Sequence, residues 1–114
     1  GADQRRAFCH VSDAVEAMRL LMGAQTAWGQ IVNIGNDTEE TRVEDLARLV
    51  LKMARIAPAL ERVPAPAGSV ERRCPDLGRL RALTGFSPKI PLETGVAETF
   101  AWYRERRERE GRPQ

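Results

Sequence analysis

The sequence predicts a small, helix-dominated α/β domain with short, parallel strands and about four helices. Its 114 residues are the length of one domain. Several segments carry apolar residues at helical spacing, and the apolar runs between them have the length of short strands. We expect residues 1–114 to form a single domain whose last part, residues 104–114, frays.

Composition and charge indicate a soluble globular protein. Apolar residues make up 42% and charged residues 30% of the chain. The net charge is +2, and arginine supplies all the positive charge except that of Lys52 and Lys89. Arginine pairs with carboxylate or phosphate through two hydrogen bonds at once. Two cysteines without a signal peptide, and no apolar run of membrane-spanning length, predict a cytoplasmic protein with no membrane partner.

The first predicted elements are a strand over residues 7–11 and a helix over residues 14–23. Ser12 or Asp13 is expected to cap the helix, and Gly23 to end it. The helix is indicated by apolar residues at helical spacing, namely Val15, Met18, Leu21 and Met22.

The middle of the chain predicts two further strands and a long helix. Residues 30–34 are apolar enough to suggest a strand that is buried on both faces. Thr41 and Glu44 have the spacing of a capping box, which predicts the start of a helix that runs to about Ile56. Residues 60–63 predict another short strand.

The last part of the chain predicts a loop followed by two helices. Residues 64–69 are rich in Pro, Gly and Ala and are expected to be mobile. Asp76 is expected to cap a helix over residues 77–84, and Gly85 to end it. A final helix is predicted over residues 92–109. The apolar stripe of this helix consists of Leu92, Val96, Phe100 and Tyr103.

Four short segments, in this order and at these separations, resemble a known family. They are Arg-Ala-Phe-Cys-His-Val-Ser-Asp from residue 6, Ile-Val-Asn-Ile-Gly-Asn from residue 31, Arg-Cys-Pro-Asp from residue 73 and Gly-Phe-Ser-Pro-Lys-Ile-Pro-Leu from residue 85. Together they resemble the C-terminal third of the extended short-chain dehydrogenase/reductases. That family includes nucleotide-sugar epimerases, dehydratases and UDP-glucuronate decarboxylases. The resemblance extends from about Arg6 to Tyr103.

Two motifs that such an enzyme needs are absent from this sequence. The chain has no Gly-x-x-Gly-x-x-Gly turn for a dinucleotide and no Tyr-x-x-x-Lys pair for catalysis. The resemblance therefore implies a substrate-binding lobe without its Rossmann half. We expect the isolated chain to be no enzyme and to bind no cofactor, whereas the intact parent would be an NAD(P)-dependent epimerase, dehydratase or decarboxylase.

The resemblance assigns four residues to the binding of a sugar nucleotide. Arg73 and Arg6 are implied as ligands of the diphosphate, Asp76 as a ligand of the ribose, and Asn33 as a contact of the nucleotide or its loop. Simpler roles remain open for each. Arg73 and Arg6 could be surface arginines, with Arg5 able to replace Arg6. Asp76 could be only a helix cap, and Asn33 could tie its strand to a loop.

The other candidate residues favour structural roles. His10, Cys9 and Cys74 have neither metal-ligand spacing nor a nucleophile pattern, so we predict no metal and no catalytic residue. Asp13 is expected to stabilise the fold. The tail interleaves Arg with Glu, which argues against nucleic-acid binding. Core packing is the expectation for three aromatic residues, Trp28, Trp102 and Tyr103.

The predicted function is that of a nucleotide-sugar-binding portion of a larger enzyme. Its expected partners are a weakly bound sugar nucleotide or nucleoside diphosphate and a Rossmann domain, in cis or in trans. A different class remains open, namely a protein-interaction domain that docks onto a separate Rossmann partner or forms a homodimer and has no ligand of its own. In either case we expect an exposed apolar surface near Phe8 and Val11 or on the helix of Val15 and Met18.

Overall fold

The computed structural model describes residues 1–111, which form four helices and a small three-stranded sheet. The helices are α1 (Val11–Gly23), α2 (Val43–Ala54), α3 (Gly78–Thr84) and α4 (Leu92–Arg109), and the strands are β1 (Arg5–Ala7), β2 (Glu40–Arg42) and β3 (Arg72–Arg73). A single 3-10 turn follows α1 at Gln25–Ala27. The predicted α/β class with four helices is confirmed. Of the tail predicted to fray, residues up to 109 belong to α4, and residues 112–114 lie outside the described part.

The sheet has the order β2-β1-β3 and mixes the two kinds of pairing. The β1–β3 pair is parallel, whereas the β1–β2 pair is antiparallel, so the expectation of parallel strands is wrong for the second pair. The sequence predicted no strand at the positions of β2 and β3. The first strand ends at residue 7 rather than residue 11, because His10 already takes the N-cap position of α1. The Nδ1 atom of His10 accepts a hydrogen bond from the Ser12 backbone N–H at 3.4 Å. The prediction that Ser12 or Asp13 caps this helix is therefore wrong.

Residues 30–34 are not a strand in this structure. Within residues 1–111 they have no β-ladder partner, and Ile31 is 87% exposed, so the predicted burial on both faces is wrong. Val32 and Ile34 pack against the core, which leaves Ile31 and Asn33 facing outwards. An apolar run supplies side chains for a sheet but cannot supply the neighbouring strand on which a ladder depends.

Two other predicted features of the middle segment also differ. Residues 60–63 are exposed and irregular, so they do not form the predicted strand. The capping box does not form, because Arg42 is the N-cap residue of α2 and makes no side-chain cap. Glu44 instead contacts two arginines. The Nη2 atom of Arg48 lies 2.6 Å from Oε1 of Glu44, and Arg62 forms an ion pair with the same carboxylate. These charge-assisted contacts hold the Glu44 side chain away from the position a capping box requires.

The core is small and lies where α1 packs against α3. Its buried apolar residues are Ala17, Leu77, Leu80 and Phe86. Gly85 ends α3 with a positive φ of 68°, as predicted. The expected core packing of the aromatic residues is wrong for all three, since Trp28, Trp102 and Tyr103 are at least half exposed.

A buried carboxylate closes this core. Asp13 lies in the first turn of α1 and is 5% exposed. Its carboxylate accepts hydrogen bonds from the backbone N–H of Lys89 at 3.1 Å and of Ile90 at 3.0 Å. Asp13 thus has the expected structural role, but it joins α1 to the segment that leads into α4 and does not cap a helix.

Replacing Asp13 should therefore destabilise the fold. In Asp13→Ala the two backbone N–H groups lose their acceptor in a partly buried position, so the free energy of unfolding should fall by about 1–3 kcal/mol. Urea unfolding followed by circular dichroism measures the change. Asp3→Ala removes an exposed carboxylate 3.6 Å from Arg42 and serves as the control, with an expected change within about 0.5 kcal/mol. Equal losses in both variants would contradict this role.

Candidate functional site

The sheet places two of the predicted site residues side by side. Arg6 of β1 and Arg73 of β3 are register partners in the parallel pair. Partnered residues of neighbouring strands project to the same face of a sheet, and successive residues project to opposite faces. Arg5 is paired with Arg72 and therefore belongs to the opposite face. The alternative in which Arg5 replaces Arg6 beside Arg73 is disfavoured by this register.

The two adjacent arginines of β3 differ in their partners. Arg72 binds Glu40 of β2, with Nε 2.8 Å from Oε2. This contact lowers the pKa of Glu40 below its usual range, chiefly through the hydrogen bond from Arg72. Arg73 is exposed, and within residues 1–111 no side chain makes a hydrogen bond or an ion pair with it. Its five N–H donors are thus available to an anion from outside the chain.

Arg6 donates to acceptors within the protein. Its Nη1 lies 2.7 Å from the backbone oxygen of Arg5 and 3.3 Å from that of Glu71. Its Nη2 lies 2.8 Å from the backbone oxygen of Val70 and 3.1 Å from Oε1 of Gln4. In this structure the guanidinium of Arg6 therefore braces the segment that enters β3.

The other two predicted site residues meet in an open groove. The Nδ2 group of Asn33 donates to the backbone oxygen of Asp76 at 3.3 Å, and Oδ1 of Asp76 accepts from the Gly78 N–H at 2.7 Å. Asp76 thus makes the capping bond at the start of α3, although the N-cap position belongs to Leu77. Asn33 is exposed, not buried as expected. The groove has a volume of about 510 Å³ and is lined by Ile31, Asn33, Asp76, Gly78 and Arg79.

Arg79 is a residue of this groove that the sequence analysis missed. Its Nη1 donates to the backbone oxygen of Ile31 at 2.8 Å. No pattern in the sequence indicates this contact, because Arg79 and Ile31 are 48 residues apart. The structure therefore brings together Arg6 with Arg73, and Asn33 with Asp76 and Arg79. Only two intervening residues of the chain separate Arg73 from Asp76.

The two cysteine thiols are poor nucleophiles in this structure. Burial is the main cause that raises the pKa of the Cys9 thiol and of the Cys74 thiol, so both thiols are neutral at pH 7. Within residues 1–111 no group of three or more His, Cys, Asp or Glu side chains is arranged to hold a metal ion. None of the helices in the described part of the chain is long and apolar enough to cross a membrane.

Comparison with known proteins supports the resemblance found in the sequence. No protein-family model matches the chain. Over 108 residues it is 32% identical to UDP-N-acetyl-alpha-D-glucosaminuronate decarboxylase of Bacillus cytotoxicus, covering 90% of this chain and 33% of that protein. Over 104 residues it is 36% identical to dTDP-glucose 4,6-dehydratase of Streptomyces niveus, covering 90% of this chain and 30% of that protein. The chain thus spans about a third of the length of the curated relatives it matches.

Solved structures show the same fold. MoeE5 in complex with UDP-glucuronic acid and NAD superposes with a TM-score of 0.79 at 25% identity, covering 93% of this chain and 35% of that chain. The epimerase Mth375 of Methanothermobacter thermautotrophicus gives a TM-score of 0.88 at 20% identity, covering 97% of this chain and 34% of that chain.

These curated relatives are a nucleotide-sugar decarboxylase and a nucleotide-sugar dehydratase, and the chain is similar to about a third of each. The predicted resemblance of this chain to part of such enzymes is confirmed.

An ion pair next to the groove predicts a specific pH dependence. The Nη1 of Arg81 in α3 lies 2.8 Å from Oδ2 of Asp37, and this hydrogen bond is the main cause that lowers the pKa of Asp37. A carboxyl group whose pKa is lower in the folded state stabilises the fold above its unfolded pKa, about 3.9, and loses that contribution as the pH falls through the folded pKa. As the pH falls below 5, Asp37→Asn should therefore lose less stability than the wild type.

Urea unfolding at a series of pH values measures this difference. Arg81→Met is the matched variant, since it removes the partner and should flatten the same part of the profile. An acid profile of Asp37→Asn that coincides with that of the wild type would show that the pair does not contribute.

Proposed function

We propose that this chain is the C-terminal, nucleotide-sugar-binding portion of an NAD-dependent epimerase/dehydratase-type enzyme. It binds the diphosphate and the ribose of a sugar nucleotide and is not catalytic alone. The observation that carries the proposal is the Arg73 guanidinium, which is exposed and without a side-chain partner in the described residues, on the same sheet face as Arg6. The polar groove of Asn33 and Asp76 follows directly in the chain.

Each residue has a role that its chemistry supports. Arg73 donates two parallel hydrogen bonds to diphosphate oxygens, for which the planar guanidinium is well suited. Arg6 supplies a second positive charge from the neighbouring strand. Asp76 has its Oδ1 on the Gly78 N–H, so Oδ2 is the atom that accepts from a ribose hydroxyl. Asn33 donates one N–H to the Asp76 backbone and has an oxygen left for the nucleotide.

The chemistry of the parent enzyme belongs to the part that this chain does not span. The relatives are about three times as long. The sequence contains neither a Gly-rich dinucleotide turn nor a Tyr-x-x-x-Lys pair. NAD(P) and the catalytic residues are therefore assigned to a Rossmann portion, and the present chain to the substrate side.

The binding role predicts that Arg73 matters more than an arginine elsewhere on the surface. For the 114-residue chain we expect UDP to bind with a dissociation constant on the order of 1 mM, or about 4 kcal/mol, because only one wall of the site is present. Arg73→Ala should weaken UDP binding several-fold, whereas Arg107→Ala, in the exposed part of α4, should not. A chemical-shift titration measures both affinities. Equal affinities, or no shifts at Arg6 and Arg73, would contradict the assignment.

A second candidate function is favoured by the exposed apolar face of α1. Val11 is 67%, Val15 56%, Met18 48% and Met22 81% exposed. These four residues recur at helical spacing and form one stripe, which we call the α1 stripe. A contiguous apolar surface of this kind is typical of an interface. In this alternative the chain is a docking domain for a Rossmann portion, in cis or in trans, and has no ligand of its own.

The α1 stripe also predicts self-association when the isolated chain has no partner. A lysine in the stripe costs little in an exposed helical position but prevents an apolar contact. Met18→Lys should therefore shift a concentration-dependent dimer towards monomer. Val63→Lys, a 61% exposed position in the irregular segment before β3, is the control and should leave the dimer unchanged. Sedimentation velocity at several concentrations decides this, and a wild-type chain that is strictly monomeric and binds no hydrophobic dye would contradict it.

A further inference from the structure

Two segments that carry the groove residues run side by side without forming a ladder. Residues 31–35 lie along residues 75–79 in the opposite direction. Arg79 reaches the backbone oxygen of Ile31 at one end, and Asn33 reaches that of Asp76 in the middle. Within the described residues no backbone–backbone hydrogen bond joins the two segments. Side chains alone therefore set their relative position.

We call the line of contact between residues 31–35 and residues 75–79 the seam. Its third contact is a close approach at the other end of the two segments. A Cβ atom added at Gly35 would lie 2.7 Å from Cγ of Pro75, well inside van der Waals contact. Gly35 is buried, so a larger side chain has no free space into which to move. The absence of a side chain at position 35 is thus what lets the two segments approach each other.

The core fixes only part of the geometry of Asn33. Val32 and Ile34 pack against it on either side of Asn33, which sets the direction in which the Asn33 side chain projects. Apolar packing is non-directional, however, and does not fix how far residues 31–35 slide along α3. The hydrogen bond from Arg79 to Ile31 is directional and sets this position at residue 31, while the Arg81–Asp37 ion pair holds the chain just after residue 35.

We propose that Arg79 and Gly35 are positioning residues of the nucleotide site, which hold Asn33 beside Asp76 so that both side chains receive the ribose. This inference rests on the proposed function and deepens it. Neither residue contacts the diphosphate, whose ligands lie on the sheet. The site therefore has two parts: a sheet part with Arg6 and Arg73, and a groove part whose geometry depends on Arg79 and Gly35.

The two parts can be separated by the choice of ligand. UDP occupies both parts, whereas inorganic pyrophosphate has no ribose and occupies only the sheet part. In Arg79→Ala we expect the dissociation constant of UDP to rise about 3- to 10-fold, the loss of about one well-placed hydrogen-bonding group, and that of pyrophosphate to stay within about twofold. Arg79→Lys keeps the charge and a donor for Ile31 and should restore most of the UDP affinity. Arg73→Ala should weaken both ligands.

Gly35→Ala is an independent second variant. It leaves every charge in place, and the clash with Pro75 should open the seam, so it should weaken UDP without weakening pyrophosphate. The side-chain amide signal of Asn33 reports the seam directly and should shift in both Gly35→Ala and Arg79→Ala. Arg107→Ala is the control for the UDP titration, the pyrophosphate titration and the Asn33 amide signal. Thermal unfolding confirms that each variant is folded at the temperature of the titration.

The outcomes that overturn the inference are distinct from failure of the proposed function. If Arg79→Ala weakens the binding of UDP and of pyrophosphate equally, Arg79 is a diphosphate ligand or contributes to stability in general. The same conclusion follows if Arg79→Lys does not restore the affinity for UDP. Unchanged Asn33 signals would show that the seam does not position this residue. A wild-type chain that binds neither ligand would overturn the proposed function, and the positioning role with it.

Discussion

The shortage of buried apolar surface is the constraint on which the rest of this structure depends. Within the described residues only Ala17, Leu77, Leu80 and Phe86 form the buried apolar core, whereas fourteen large apolar residues are exposed. Small domains bury a lower fraction of their surface than large ones and have little stability in reserve. The core can therefore hold α1 against α3, and α4 packs against α2, but the sheet and the groove depend on polar contacts.

Directional polar contacts consequently position several elements that apolar packing would position in a larger domain. Asp13 joins α1 to the start of α4, Arg72 joins β3 to β2, and Arg79 joins α3 to residues 31–35. Arg6 shows how such a contact relates to binding. Its guanidinium now donates to neutral oxygens of its own chain. A diphosphate is a better partner for Arg6 than these carbonyls, because its oxygens carry negative charge and attract the guanidinium, whereas the carbonyls are neutral.

The sequence predicted what depends on local patterns and missed what depends on distant neighbours. Helical spacing gave four helices, and Gly85 was correctly expected to end α3. Residues 30–34 have the composition of a strand, but a strand also needs a partner, and composition does not indicate whether one is present. The capping box failed for the same reason. Arg62 lies eighteen residues from Glu44 in sequence and competes for its carboxylate.

The candidate site shows the same division. The short motif from residue 73 indicated Arg73 and Asp76 as candidates. The register of β1 and β3, which the sequence does not show, then placed Arg6 rather than Arg5 beside Arg73. The sequence did not indicate Arg79 and Gly35, because each contacts a residue that lies forty or more positions away in the chain.

The distribution of polar and apolar surface gives a physical reason why binding and catalysis can be divided between two portions of such an enzyme. The proposed anion site needs unpaired donors held in place, and the exposed guanidinium of Arg73 on β3 has such donors. In the proposed enzyme, catalysis needs a second wall that excludes water and presents the dinucleotide, and the Rossmann portion would supply this wall. The α1 stripe is apolar, whereas Asn33, Asp76 and Arg79 give the groove polar groups, so the surface suited to a protein partner differs chemically from the surface suited to a nucleotide. A partner that covers the stripe would order this small domain by burying apolar area and would leave the donors of Arg73 free for the diphosphate.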